Sequence, residues 1–165
     1  MRLRPAQPAD FPAVLALNAE SVHFLSPLDE ARLAELHAEA AVHWVVEHNG
    51  HVIAFLLAFR EDAAYDSVNY QFFVQRYPTF LYVDRIVVSQ TTQARGTGSI
   101  LYQGVFAFAA GHGIPIVTCE IDVDPPTPVS ERFHAKFGFR EVGRQAVAGG
   151  TKQVALQVAD VAART

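Results

Sequence analysis

Ile86-Val87-Val88-Ser89-Gln90-Thr91-Thr92-Gln93-Ala94-Arg95-Gly96-Thr97-Gly98-Ser99-Ile100-Leu101 is the stretch whose reading decides the fold. A β-branched run enters a polar loop with two glycines, and an apolar helical pattern starts at the second glycine. Glycine lets the backbone turn sharply and approach a ligand closely. The amides of a first helical turn have no acceptor inside the helix, and the helix dipole adds positive potential there. The stretch reads as strand, anion-binding nest and helix, and the nest suits a diphosphate. A tight turn with no ligand is the alternative that two glycines by themselves leave open. The third glycine of a dinucleotide fingerprint and the Gly-Lys-Ser/Thr of a triphosphate loop are both missing.

Working outward, the strand preceding the nest spans Leu81–Ser89 and the helix following it runs Gly98–Gly111. Upstream, Asn49-Gly50 separates the apolar runs Val42–Glu47 and Val52–Phe59, the strongest short hairpin signal. Two helices are expected before it, one from Pro8 to about Glu20 and one starting at Pro27, with Met1–Arg4 as a short edge strand. The segment Ala63–Phe80 is rich in aromatics, Tyr70 among them, and reads as a loop with at least one helical turn. Downstream, Pro115–Val123 is a strand that Asp124-Pro125-Pro126-Thr127-Pro128 ends. A short helix Ser130–Phe137 stops at Gly138, and two strands, near Phe139–Val147 and Lys152–Val158, complete the chain.

Gln93-x-x-Gly96-x-Gly98 resembles the Gln/Arg-x-x-Gly-x-Gly/Ala signature of the GCN5-related N-acetyltransferase superfamily. Ser130-Glu131-Arg132-Phe133-His134-Ala135-Lys136-Phe137-Gly138-Phe139 resembles that family's later motif, a short helix ending in Gly-Phe. The element order matches over nearly the whole chain. The resemblance implies one α/β (α+β) domain over residues 1–165, with a central twisted, mixed but mostly antiparallel sheet of six to seven strands flanked by about four helices. It implies an acetyl-CoA-dependent acyltransferase acting on a primary amine by direct attack, with no metal. The backbone of Gln93, Ala94, Arg95, Gly96, Thr97, Gly98 and Ser99 would hold the pyrophosphate of acetyl-CoA. The strand backbone at Ile86, Val87 and Val88 would pair with the peptide-like pantetheine arm. Thr127 stands where the family often has a pantetheine-touching Asn, three residues before Ser130. His134 stands where a Tyr often protonates the leaving thiolate. It is either that acid or a packing and thiol-orienting residue. A non-catalytic acyl-CoA-binding sensor of the same fold is the competing reading.

An amine that attacks must lose a proton, and a carboxylate can take it directly or through water. Asp84 interrupts the apolar strand Leu81–Val88, and Glu120 interrupts Ile116–Val123. Each is a candidate base, a structural ion-pair member or a residue of an exposed face, because a charge buried inside an apolar strand needs a partner. Alternation along a strand points Arg85 to the face opposite Asp84 and disfavours it as that partner. A backbone N–H near Val88 is the candidate donor to the thioester carbonyl. The resemblance implies that the region between the first two helices, His23 and Phe24 here, borders the acceptor pocket, His23 being either a ligand contact or an ordinary interhelical residue. Tyr70 in the aromatic segment is also expected at the acceptor. That segment is either a lid over the pocket or a satellite core.

Composition bounds the rest. Half of the 165 residues are hydrophobic and the formal net charge is -4, so a packed domain is expected and nucleic acid is not an expected partner. The apolar runs are too short to span a bilayer, and the N-terminus lacks the apolar core of a signal peptide. A cytoplasmic protein with no membrane partner is the expectation. The single cysteine, Cys119, excludes an internal disulfide framework, and the seven histidines show no metal-ligand spacing. The acceptor is a small-molecule amine or a protein or peptide amine, and a homodimer stays open.

Overall fold

The computed structural model describes residues 1–21, 27–92 and 96–162. In chain order these carry β1 (Arg2–Pro5), a 3-10 turn (Pro8–Asp10), α1 (Phe11–Glu20), α2 (Glu30–Glu39), β2 (Val42–His48), β3 (His51–Arg60), α3 (Val68–Val74) and β4 (Leu81–Val88). Then come α4 (Thr97–Gly111), β5 (Ile116–Asp124), α5 (Pro128–Lys136), β6 (Arg140–Val147), a 3-10 turn (Ala148–Gly150) and β7 (Lys152–Asp160). The strands form one seven-stranded sheet in the order β1-β2-β3-β4-β5-β7-β6. It is mixed: β4 pairs parallel to β5, whereas β1–β2, β2–β3, β5–β7 and β7–β6 pair antiparallel.

The described helices number five rather than about four, because the aromatic segment supplies a helix of its own, α3. The second helix starts at Glu30, not Pro27. Asp29 is its N-cap, accepting the Arg32 amide at 2.7 Å, so the short carboxylate, not the proline, sets the boundary.

The chain divides into two compact units, Met1–Phe59 with Val83–Gly104, and Arg60–Tyr82 with Val105–Thr165. In the first, the β2–β3 hairpin turns through Asn49 (φ +51°) and Gly50 (φ +78°), the pair of left-handed residues that a type I′ turn needs. Val45, Phe55 and Leu57 from the hairpin and Val14, Leu33 and Leu36 from α1 and α2 are buried together in its core. At Gly104 a Cβ would stand 2.9 Å from Leu3 Cδ2 and 3.0 Å from Trp44 Cζ3. The glycine therefore lets α4 lie close against β1 and β2.

In the second unit, β5 and β6 flank β7, from Ile116↔Asp160 and Arg140↔Val158 onward. Phe106 of α4 stacks on Phe137 at 6.1 Å and tilts against Phe139 at 6.0 Å. The 60–82 segment is a satellite core: Tyr65, Tyr70, Phe72, Phe73 and Phe80 are all buried. Its helix α3 seats on β6 where a Cβ on Gly143 would meet Phe72 Cζ at 2.7 Å. Gln145 Nε2 donates to Asn69 Oδ1 at 2.7 Å, and the Arg76 guanidinium covers the Phe72 ring at 3.6 Å.

Candidate functional site

Strand β4 beyond Tyr82 and the start of α4 belong to the first unit. Along β4 the burial alternates: Val83, Arg85 and Val87 are buried, while Asp84, Ile86 and Val88 are half-buried. Gln93, Ala94 and Arg95 lie outside the described residues, as do His23 and Phe24. The chain re-enters at Gly96, whose φ of +79° is left-handed backbone that favours glycine, with nothing within 4 Å of where a Cβ would stand. The first ladder bond of α4 runs from the Ile100 amide to the Gly96 carbonyl at 3.0 Å. The amides of Thr97, Gly98 and Ser99 precede it, in the first turn of the helix. Thr97 is buried and its hydroxyl donates to Met1 Sδ at 3.2 Å, which anchors the helix start. An open left-handed glycine followed by first-turn amides fits a diphosphate.

Asp84 has a partner, and it is Arg85. Arg85 Nε donates to Asp84 Oδ2 at 2.8 Å, with side-chain exposures of 7% and 6%. Alternation fixes where Cβ points, whereas Nε lies three bonds further out and reaches back to the neighbouring carboxylate. The same guanidinium donates from Nη1 to Asn18 Oδ1 of α1 at 3.1 Å. The expectation that the two residues do not pair is thus overturned.

Glu120 lies in the second unit. Thr118, Glu120 and Asp122 share one face of β5. Tyr82, in register with Thr118, donates its hydroxyl to Glu120 Oε2 at 2.7 Å. Lys152 Nζ stands 2.9 Å from Asp122 Oδ2. Tyr82 is wholly buried, and its ring meets Tyr70 at 5.6 Å and Phe73 at 5.8 Å. In the sequence Tyr82 is one more residue of an apolar strand. Lone polar groups in two apolar strands were the available signal, since buried polar atoms seek partners.

Tyr70 does not sit as expected. It has no exposed surface, donates its hydroxyl to the Arg60 carbonyl and accepts the Ala63 amide at 3.0 Å. Both roles of its oxygen are used inside the 60–82 segment, so it holds that segment together rather than facing an acceptor.

At α5, the Thr127 hydroxyl donates to the Asp122 carbonyl at 2.7 Å, closing the proline-rich break; its lone pairs remain as acceptors. His134 is 6% exposed, with its ring edge-on to Phe133 at 5.6 Å and Phe139 at 5.4 Å. Its Nδ1 lies 2.8 Å from the Ser130 carbonyl and 3.4 Å from Ser130 Oγ. Donation to that carbonyl places the neutral ring's proton on Nδ1. Burial lowers the imidazole below its ordinary value, against a smaller rise from the Ser130 bond. Among the described residues, no three His, Cys, Asp or Glu side chains are grouped to hold a metal, and no helix is long and apolar enough to cross a membrane.

Comparison with known proteins adds the chemistry. A model of the acetyltransferase (GNAT) family matches residues 10–139. No curated protein matches the chain. Among solved structures, Ard1 from Thermoplasma volcanium superposes with a TM-score of 0.77 at 17% identity, covering 96% of each chain. The ribosomal-protein-S18-alanine N-acetyltransferase from Escherichia coli gives 0.73 at 14% identity, over 97% of this chain and 93% of that one. The structure of yncA from Salmonella typhimurium with its cofactor acetyl-CoA gives 0.73 at 16% identity, over 98% and 94%.

Proposed function

The chain belongs to the acetyltransferase (GNAT) family, and from that premise we propose that it transfers the acetyl group of acetyl-CoA to a primary amine by direct attack. The observation that carries this reading is Gly96, left-handed and open, ahead of the amides of Thr97, Gly98 and Ser99. Those amides, with the backbone of Gln93, Ala94 and Arg95, hold the diphosphate. The β4 backbone at Ile86, Val87 and Val88 receives the pantetheine arm. Thr127 offers it an acceptor, and Ser130 lies one helical turn from His134.

Acetyl-CoA supplies a thioester carbonyl. The amine nitrogen bonds to that carbon, the carbon–sulfur bond breaks with its electron pair leaving on CoA as the thiolate, and the amine proton goes to a carboxylate. Glu120 is that base. The support is that the Asp84 carboxylate is already held by the buried Arg85 guanidinium. The Val88 amide is assigned to the carbonyl oxygen. His134 is assigned to packing, since a neutral ring whose proton faces the Ser130 carbonyl is a poor acid. The acceptor class is a small-molecule amine or a protein or peptide amine, taken by the region of His23 and Phe24.

CoA thiol release tests the reading across simple amines, amino acids, aminoglycosides and peptides with free N-termini. Acetyl-CoA-dependent release with at least one class is expected. Acetyl-CoA binding with no release from any of them would favour the sensor reading instead.

A further inference from the structure

Tyr82 and Glu120 are the polar residues that two apolar strands direct at one another, 38 positions apart in sequence. The phenol is a fixed point. Its ring has no exposed surface and is bounded by Tyr70 and Phe73. Tyr70 is in turn tied by its oxygen to the backbone at Arg60 and Ala63. Phe73 packs edge-on against Phe72 at 5.3 Å, and Phe72 is seated over Gly143. A phenol mounted this rigidly sets the direction of the carboxylate that accepts from it. As a donor to the ionised form, it also favours that form.

The geometry points to Tyr82 as a positioning residue for proton abstraction, a role that rests on Glu120 being the base. The aromatic 60–82 segment is then a buttress for that base and not a lid. Tyr82 touches neither substrate nor cofactor in this account; it acts through Glu120 alone.

Tyr82→Phe removes the oxygen and keeps the ring that Tyr70 and Phe73 pack against. The assay is thiol release with acetyl-CoA and the best amine of the panel above. kcat is expected to fall about tenfold, the effect of one hydrogen bond to a charged group. The acetyl-CoA Kd is expected to stay unchanged, and the acid limb of the pH profile to move to higher pH. In the Glu120→Gln background, adding Tyr82→Phe is expected to cost nothing further, because the two residues act as one unit. A carbon NMR titration of the Glu120 carboxyl in the Tyr82→Phe protein reads the same shift without any acceptor. If Glu120→Gln is inactive but Tyr82→Phe keeps the wild-type pH profile and titration, the positioning role is wrong and the base assignment stands. An equal loss from Tyr82→Phe in both backgrounds also overturns it. A fully active Glu120→Gln removes the base assignment and this role together.

Discussion

Arg85 Nε donates to Asp84 Oδ2 across 2.8 Å with both side chains almost fully buried, and Arg85 Nη1 reaches on to Asn18. Removing one member of such a pair leaves a buried charge without compensation, which costs about 3–5 kcal/mol. Asp84→Asn is therefore expected to lose stability of that order in urea denaturation. The protein that remains folded should keep its turnover. Arg85→Leu combined with Asp84→Leu should recover most of the stability, because the charge leaves with its partner. An Asp84→Asn variant that is as stable as the wild type would show that the pair contributes little to the first unit.

The hairpin, the glycine ahead of α4 and the Gly-Phe helix are legible because each depends on local backbone chemistry. Asn49-Gly50 announces left-handed backbone, and Gly96 does the same at the head of α4. The rest was set by side-chain reach. Asp29 decided where α2 begins, and the length of the arginine arm paired Arg85 with Asp84 against the strand's alternation. Tyr82 and Glu120 are joined only by folding, so in the sequence Glu120 stands as a lone carboxylate and Tyr82 as one more apolar strand residue. Tyr70 read as a binding residue because an aromatic segment with a polar tip suits both a pocket and a core; its hydroxyl bonds put it in the core.

Gly98→Asp is expected to abolish acetyl-CoA binding while leaving the protein folded. An aspartate in a first helical turn suits the dipole, so the helix survives, but the carboxylate repels the diphosphate. Thermal unfolding of the wild type at a hundredfold excess of acetyl-CoA over its Kd should show about 2.7 kcal/mol of added stability, and the variant none. Isothermal titration with wild-type affinity in the variant would move the ligand off this loop.

His43 predicts an acid-labile first unit. Burial, helped by nearby His37, pushes its imidazole down from 6.5 to about 4, with Asp10 opposing. His37 Nδ1 lies 2.7 Å from His43 Nδ1, and His43 Nε2 is buried with no hydrogen-bond partner among the described residues. The unfolded chain takes up this proton first, so stability is full above pH 6.5 and declines as pH falls towards 4. The full loss is about 3 kcal/mol. His43→Phe keeps a ring among Phe11, His37 and Phe55 and removes the titration. Its stability, followed by urea denaturation at several pH values, should fall less steeply through that window. Identical slopes for the two proteins would assign the acid lability elsewhere.

The most direct test of the account is the pH dependence of thiol release by Glu120→Gln. The substitution keeps size and polarity but removes the base. Turnover at neutral pH is expected to fall about 100-fold or more. The deficit should shrink at high pH, where the amine loses its proton unaided, and the acetyl-CoA Kd should barely change. Full turnover by Glu120→Gln, together with its loss in folded Asp84→Asn, would contradict the account and make Asp84 the base.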